Sequence, residues 1–235
     1  MKKTNSLFRL LLLISLCLLM TSCELFTWLS FRRQMRKVDK NFQIVRQGNR
    51  DHIIFLKPIL DAGNVKYVTN KEASQVRKKD DGTLTYYYHC KRQRKNAMLE
   101  HDLTWELYFN KEGKVSGLQG PFQFSRDLDY QSYQKATSAL LSGEVSNMGK
   151  TLTSEYDNKS LGKIKSLSRD NIIFRFGAPD KEENKNLYYS YLIDTPSKVD
   201  IKSRTVLVQF TLNKNSKVRK IRLDFASITL HFEYL

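Results

Sequence analysis

Part of the chain repeats itself at a fixed distance, and that repeat restricts the fold more than any other feature. Residues from Leu84 onward lie over residues from Leu187 onward without gaps, at a spacing of 103. Tyr86 and Tyr88 then fall over Tyr189 and Tyr191, and Leu103, Trp105, Leu107 and Phe109 over Val206, Val208, Phe210 and Leu212. Apolar residues keep the same alternate positions in both copies, as strands with one face on a core require. Asn110-Lys111-Glu112-Gly113 and Asn213-Lys214-Asn215-Ser216 come next. Asn and Gly tolerate positive φ, so both segments read as hairpin loops.

A helix signal precedes each strand group, here at an offset of 107. In the second copy Ser168 caps, Asp170 favours the first turn, and Ile172, Ile173 and Phe176 form an apolar side; Gly177 and Pro179 end the helix. In the first copy Asp61 caps, Val65 and Tyr67 take the apolar places, and Asn70 stands for the glycine. The chain is therefore expected to be α+β: two tandem units, each a helix packed on a small antiparallel sheet. Residues 42–125 hold the first unit, 126–160 a helical connector and 161–235 the second. Phe42–Leu56 reads as an opening hairpin turning at Gly48-Asn49, and Asp129–Ser142 as the connecting helix. Ile228–Leu235 alternates as a closing strand, expected at a sheet edge with free N–H and C=O groups.

The run Ser168-Arg169-Asp170-Asn171-Ile172-Ile173-Phe174-Arg175-Phe176-Gly177-Ala178-Pro179, followed by Leu187-Tyr188-Tyr189-Ser190-Tyr191 and the Val206–Leu212 strand, carries a resemblance. It resembles the small BamE (SmpA/OmlA) lipoproteins of the outer-membrane assembly machine and the wider β-lactamase-inhibitor-protein-like fold. Those units run helix, Gly-x-Pro turn, Tyr-containing strand, hairpin. The likeness covers about 164–225 well and 61–119 loosely; this chain has two units, a long insertion and no Gly-x-Pro turn in the first. It implies an envelope interaction or scaffold role, serving outer-membrane assembly or integrity.

The N-terminus agrees on compartment. Lys2, Lys3 and Arg9 form a positive front, and Leu10–Met20 is apolar apart from Ser15 and too short to cross a bilayer. Thr21 and Ser22 then precede Cys23. Met20-Thr21-Ser22-Cys23 resembles the lipobox of bacterial lipoproteins, which implies that residues 1–22 are a cleaved signal and that Cys23 is acylated. Glu24, in place of Asp, implies by the same resemblance sorting to the outer membrane, facing the periplasm. Cys17 leaves with the signal, so Cys90 remains a lone thiol, read as a half-buried strand residue.

Removing the signal takes away three bases and no acid, which turns the formal +16 into +13. Residues 23–41 read as a lipidated basic tether. Leu25, Trp28, Phe31, Met35 and Val38 form one helical face, with Arg32, Arg33, Arg36, Lys37 and Lys40 around it. Two readings stand for this segment: a helix lying against anionic head groups, or one packing its apolar side on the domain.

No His pair has metalloprotease spacing, no Gly-rich loop opens a helix and no Ser sits in a nucleophile elbow. No catalytic residue, metal or cofactor is expected. Glu100-His101-Asp102 is a compact charged cluster, read as part of an exposed loop, and Lys91, Arg92, Arg94 and Lys95 read as a solvated basic tip. Tyr86, Tyr88, Tyr189 and Tyr191 are the expected interface, since tyrosine offers area and a polar tip at low entropy cost. The expected partners are the membrane through the lipid, an envelope protein and anionic lipid, and not nucleic acid. A curved sheet enclosing an acyl chain or other small apolar ligand is the alternative reading, and an enzyme the third.

Overall fold

The computed structural model describes residues 27, 29–31, 33–34, 37–47, 50–69, 72–95, 97–125, 130–141, 143–146, 151–156, 167–195, 205–225 and 228–234. The expected signal, Cys23, Arg32 and Arg36 lie outside them.

The repeat acts first at short range. Asp61 Oδ1 accepts from Asn64 N at 2.9 Å and Asn64 Oδ1 from Asp61 N at 3.0 Å, starting helix α2 (Ala62–Thr69; α1 is Val38–Asn41). Ser168 and Asn171 make the same reciprocal pair, at 3.2 and 3.0 Å, before a later helix at Arg169–Phe176. These side chains satisfy N–H groups that a helix start leaves without partners. In the hairpins, Asn110 Oδ1 accepts from Glu112 N and Lys114 N, and Asn213 Oδ1 from Asn215 N and Lys217 N. Val115 N donates to Leu60 O at 2.7 Å, and its counterpart Val218 N to Leu167 O at 2.8 Å.

At longer range the expected architecture is overturned. The copies do not form two helix-on-sheet units; their strands run into one 13-stranded sheet with a few short helices. The first copy supplies β3 (Gln75–Lys78), β4 (Leu84–Arg92), β5 (Leu103–Phe109) and β6 (Val115–Gln119). The second supplies β9 (Lys181–Glu183), β10 (Asn186–Ile193), β11 (Thr205–Leu212) and β12 (Val218–Phe225). Between them β4 pairs antiparallel with β10, giving the order β6-β5-β4-β10-β11-β12, while β3 and β9 add to the free stretches of β4 and β10. Ile193 lies opposite Cys90, its own counterpart at the spacing of 103, so a local two-fold axis passes through this pair. Each copy alone would leave a strand edge unpaired, and the seam closes both at once.

The flanks extend this sheet. β1 (Phe42–Gln47) and β2 (Arg50–Phe55) form the opening hairpin, which joins through β6. At the other end β13 (Ile228–Tyr234) pairs with β12 and, in parallel, with β8 (Thr151–Tyr156), beyond which lies β7 (Glu144–Ser146). The terminal strand is thus interior, not the edge expected from its place in the chain, because β8 of the connector pairs with its outer side. The connecting helix is α4 (Tyr130–Leu141), after the short α3 (Phe122–Ser125); Arg169–Phe176 is α5.

Among the described residues both hydrophobic clusters, the main core and a small one of Val38, Phe42 and Ile53, lie on one side of the sheet. Val65 from α2 and Ile172 and Phe176 from α5 meet Tyr88, Leu103, Tyr189 and Phe210 in the main core. Helix α4 touches β1 at one end of the strand order and β8 near the other, and Tyr130 Oη donates to Ile44 O at 2.7 Å. The sheet therefore curls around its helices, leaving a convex outer face.

Candidate functional site

The four tyrosines expected at an interface are core residues. Tyr88, Tyr189 and Tyr191 are at most 1 % exposed, and Tyr86 packs half-buried on Phe109 with ring centroids 4.5 Å apart. Adjacent strand residues face opposite ways, so Tyr86-Tyr87-Tyr88 sends two rings to one face and one to the other. The face with two is the core. Burial pushes the Tyr88 phenol up to about 12 and raises Tyr189 and Tyr191 further. Cys90, fully buried on the two-fold axis, has its thiol pushed up by the same cause, and Asp102 adds to it.

The basic tip contains the main joint between the copies. Arg92, expected in solvent, has a side chain only 1 % exposed and bonds Asp180 Oδ2 at 2.5 Å. It also donates to Ser190 O at 3.1 Å and Ala178 O at 2.9 Å, and lies over the Tyr189 and Tyr191 rings at 4.8 and 5.2 Å. Arg94 donates to Pro179 O, and Tyr189 Oη to Gly177 O at 3.1 Å. Arg92 of β4, Arg94 just after it and Tyr189 of β10 thus take carbonyls of the turn that follows α5. The Glu100-His101-Asp102 cluster belongs here too. His101 lies against Gly177, and Asp102 Oδ1 accepts from Arg92 N at 2.8 Å. The spacing of 103 puts Thr195 at the place of Arg92, so the repeat gave no sign of this role.

The convex face carries the aromatics that sequence reading passed over. Tyr87 stacks on His89 with centroids 5.8 Å apart and planes 11° apart, and His89 Nδ1 lies 3.2 Å from Thr104 Oγ1. On the next strands Tyr108 Oη donates to Glu106 Oε2 at 2.9 Å and lies 2.9 Å from Gln119 Oε1, while His52 packs on the Tyr108 ring at 5.8 Å. Gly117 makes room for this ring: a Cβ there would sit 3.3 Å from Tyr108 Cδ2. Across the seam Asn186 Oδ1 accepts from Gln209 Nε2 and Thr211 Oγ1, and Arg222 pairs with Asp224 at 2.9 Å. These side chains hold one another in place. They place aromatic rings and polar groups side by side on paired backbone. The signal in the sequence was there: Tyr87 and Tyr188 occupy the phase opposite to the core tyrosines.

Of the apolar face expected before β1, Phe31 and Val38 are described, while Leu25, Trp28 and Met35 lie outside the described residues. Phe31 packs on both hydrophobic clusters, Val38 is buried, and Gln34 Nε2 donates to Lys57 O at 2.9 Å. These two apolar side chains are thus on the domain, with Arg33, Lys37 and Lys40 exposed around them.

Among the described residues no group of three His, Cys, Asp or Glu is placed to hold a metal ion, and no helix is long and apolar enough to cross a membrane. Set against family models, curated proteins and solved structures, the chain matches none of them.

Proposed function

We propose that the protein is a non-catalytic lipoprotein of the bacterial envelope, anchored through Cys23 to the outer membrane and facing the periplasm. It works as an interaction or scaffold module for an envelope protein. The observation that carries this reading is the convex face: Tyr87 stacks on His89, and Tyr108 bonds Glu106 and the buried Gln119, on a continuous sheet. A rigid, aromatic, polar surface binds a protein at low entropy cost. The signal-like N-terminus ending at Cys23 supports the location, and the BamE-like run at 164–225 supports a part in outer-membrane assembly or integrity. The lipid-binding alternative gains nothing from the core tyrosines, because Phe176, Tyr189 and Phe210 pack on one another within 5.8 Å.

The test is photocrosslinking in cells, with benzoylphenylalanine at Tyr87 or Tyr108 and, as control, at Lys214 in the exposed hairpin loop. One discrete envelope protein captured from the first two positions and not the third is expected. Equal capture from all three, or none from Tyr87 and Tyr108, contradicts the reading.

A further inference from the structure

Several exposed apolar residues lie together near the 98–101 turn, apart from Val76 on β3 and Leu207 on the convex face. Leu99 is 84 % exposed beside Met98 at 62 %, on the turn between β4 and β5; Phe174 on α5 is 62 %, Phe122 on α3 50 % and Leu56 after β2 49 %. These elements touch one another. Gln123 Nε2 donates to Glu100 O and Asp102 O at 2.8 Å, Phe124 packs on Phe176 at 5.2 Å, and His101 lies against Gly177. Leu56 N bonds Asn41 O, and Gln34 reaches Lys57 O, so the described residues before β1 border the same rim.

Two features say what meets this rim. The first is where the chain leads. Three residues separate Cys23 from Thr27. An extended chain spans at most about 3.5 Å per residue, so the sulfur-bearing residue lies within about 14 Å of Thr27. A lipid attached there holds this side, and not the convex one, against the bilayer. The second is charge. Arg33, Lys37, Lys40, Lys57, Arg94 and Lys95 are exposed on or beside these elements, against Glu100, Asp170 and Asp180. Apolar tips among cations suit the head-group region of an anionic leaflet, where each Lys or Arg near the surface contributes about 1 kcal/mol.

We infer that the rim formed by the 98–101 turn, α3 and α5 docks on an anionic phospholipid bilayer, with Leu99 and Met98 entering the head-group region and the convex face turned away. This rests on acylation at Cys23 and adds the orientation of the body. An anchor alone lets the body rotate; the second contact fixes it, as stable attachment to a membrane takes two signals.

The experiment uses the full-length protein purified from membranes and reconstituted in phosphatidylcholine vesicles with or without phosphatidylglycerol. A bimane label sits at Leu99→Cys or, on the convex face, at Leu207→Cys; Cys90 is fully buried and stays unlabelled. Doxyl-labelled lipid should quench the label at residue 99 several-fold more than that at 207, with the difference largest in vesicles containing phosphatidylglycerol. Equal quenching, or stronger quenching at 207, overturns the docking while leaving the anchor intact. Acylation is read separately, from the mass of the protein before labelling; an unmodified Cys23 removes the anchor, and this inference goes with it.

Discussion

Arg92 holds the two copies together through contacts that no exposed arginine makes. Its guanidinium is buried under two tyrosine rings and bonded to Asp180, to Ala178 O just after α5 and to Ser190 O on β10. Arg92→Met leaves those acceptors without a donor, which should cost about 3 kcal/mol in urea unfolding. Arg94→Ala, at an exposed side chain, should cost less than about 1 kcal/mol; equal losses would contradict this division. Gly177 is tied to the same joint. Its φ is +75° with ψ −174°, and a Cβ would meet His101 Nδ1 at 2.8 Å. Gly177→Ala should therefore destabilise by about 3 kcal/mol, while Gly113→Ala, with positive φ and open space, should cost about 1 kcal/mol. The sign of the alkaline response follows from the buried groups. Cys90, Tyr88, Tyr189 and Tyr191 all have raised values in the folded state. The unfolded chain releases these protons first, so stability is full below about pH 8.5 and falls as pH rises. Each group adds about 1.4 kcal/mol per pH unit above its unfolded value. Urea midpoints at pH 7, 9 and 11 check this, and an unchanged midpoint at pH 11 would contradict it.

Helix starts and hairpin loops were legible in the sequence because their chemistry is local. Ser168 and Asp61 cap, and Asn110 and Asn213 close their loops through bonds to residues at most four away. Asn171→Ala removes the side chain that answers Ser168 N and should cost about 1 kcal/mol, as should Asn64→Ala in the first copy, measured by thermal unfolding. No loss in either would mean that strand pairing alone positions these helices. Strand order was less legible. Nothing in β4 marks that part of it pairs with β10 and part with β3, since edge groups are the same in every strand. The tyrosine faces were missed for a different reason. Alternation assigns residues to two faces and does not say which faces inward, and only the helices packed on Tyr88 and Tyr189 decide it. Likewise β13 looked terminal in sequence but is covered in space by β8, whose sequence Thr-Leu-Thr-Ser-Glu-Tyr gave no warning of a parallel partner.

On the scale of the whole molecule, a duplicated sequence has become one sheet wound about a helical layer, not two bodies on a string. That arrangement separates two surfaces. The convex one carries ordered rings and polar groups; the other carries cations, exposed apolar tips and the start of the described chain. Composition gave the positive charge but not its placement, which depends on which loops the seam brings together. The functional account stands on the chain being held at a membrane by its first mature residue. The intact mass of the protein extracted from envelopes tests this most directly. The account predicts a chain beginning at Cys23 with added fatty-acyl mass, which Cys23→Ala abolishes. A mature chain with an unmodified cysteine, or one that fractionates as soluble protein in wild type and variant alike, would contradict it.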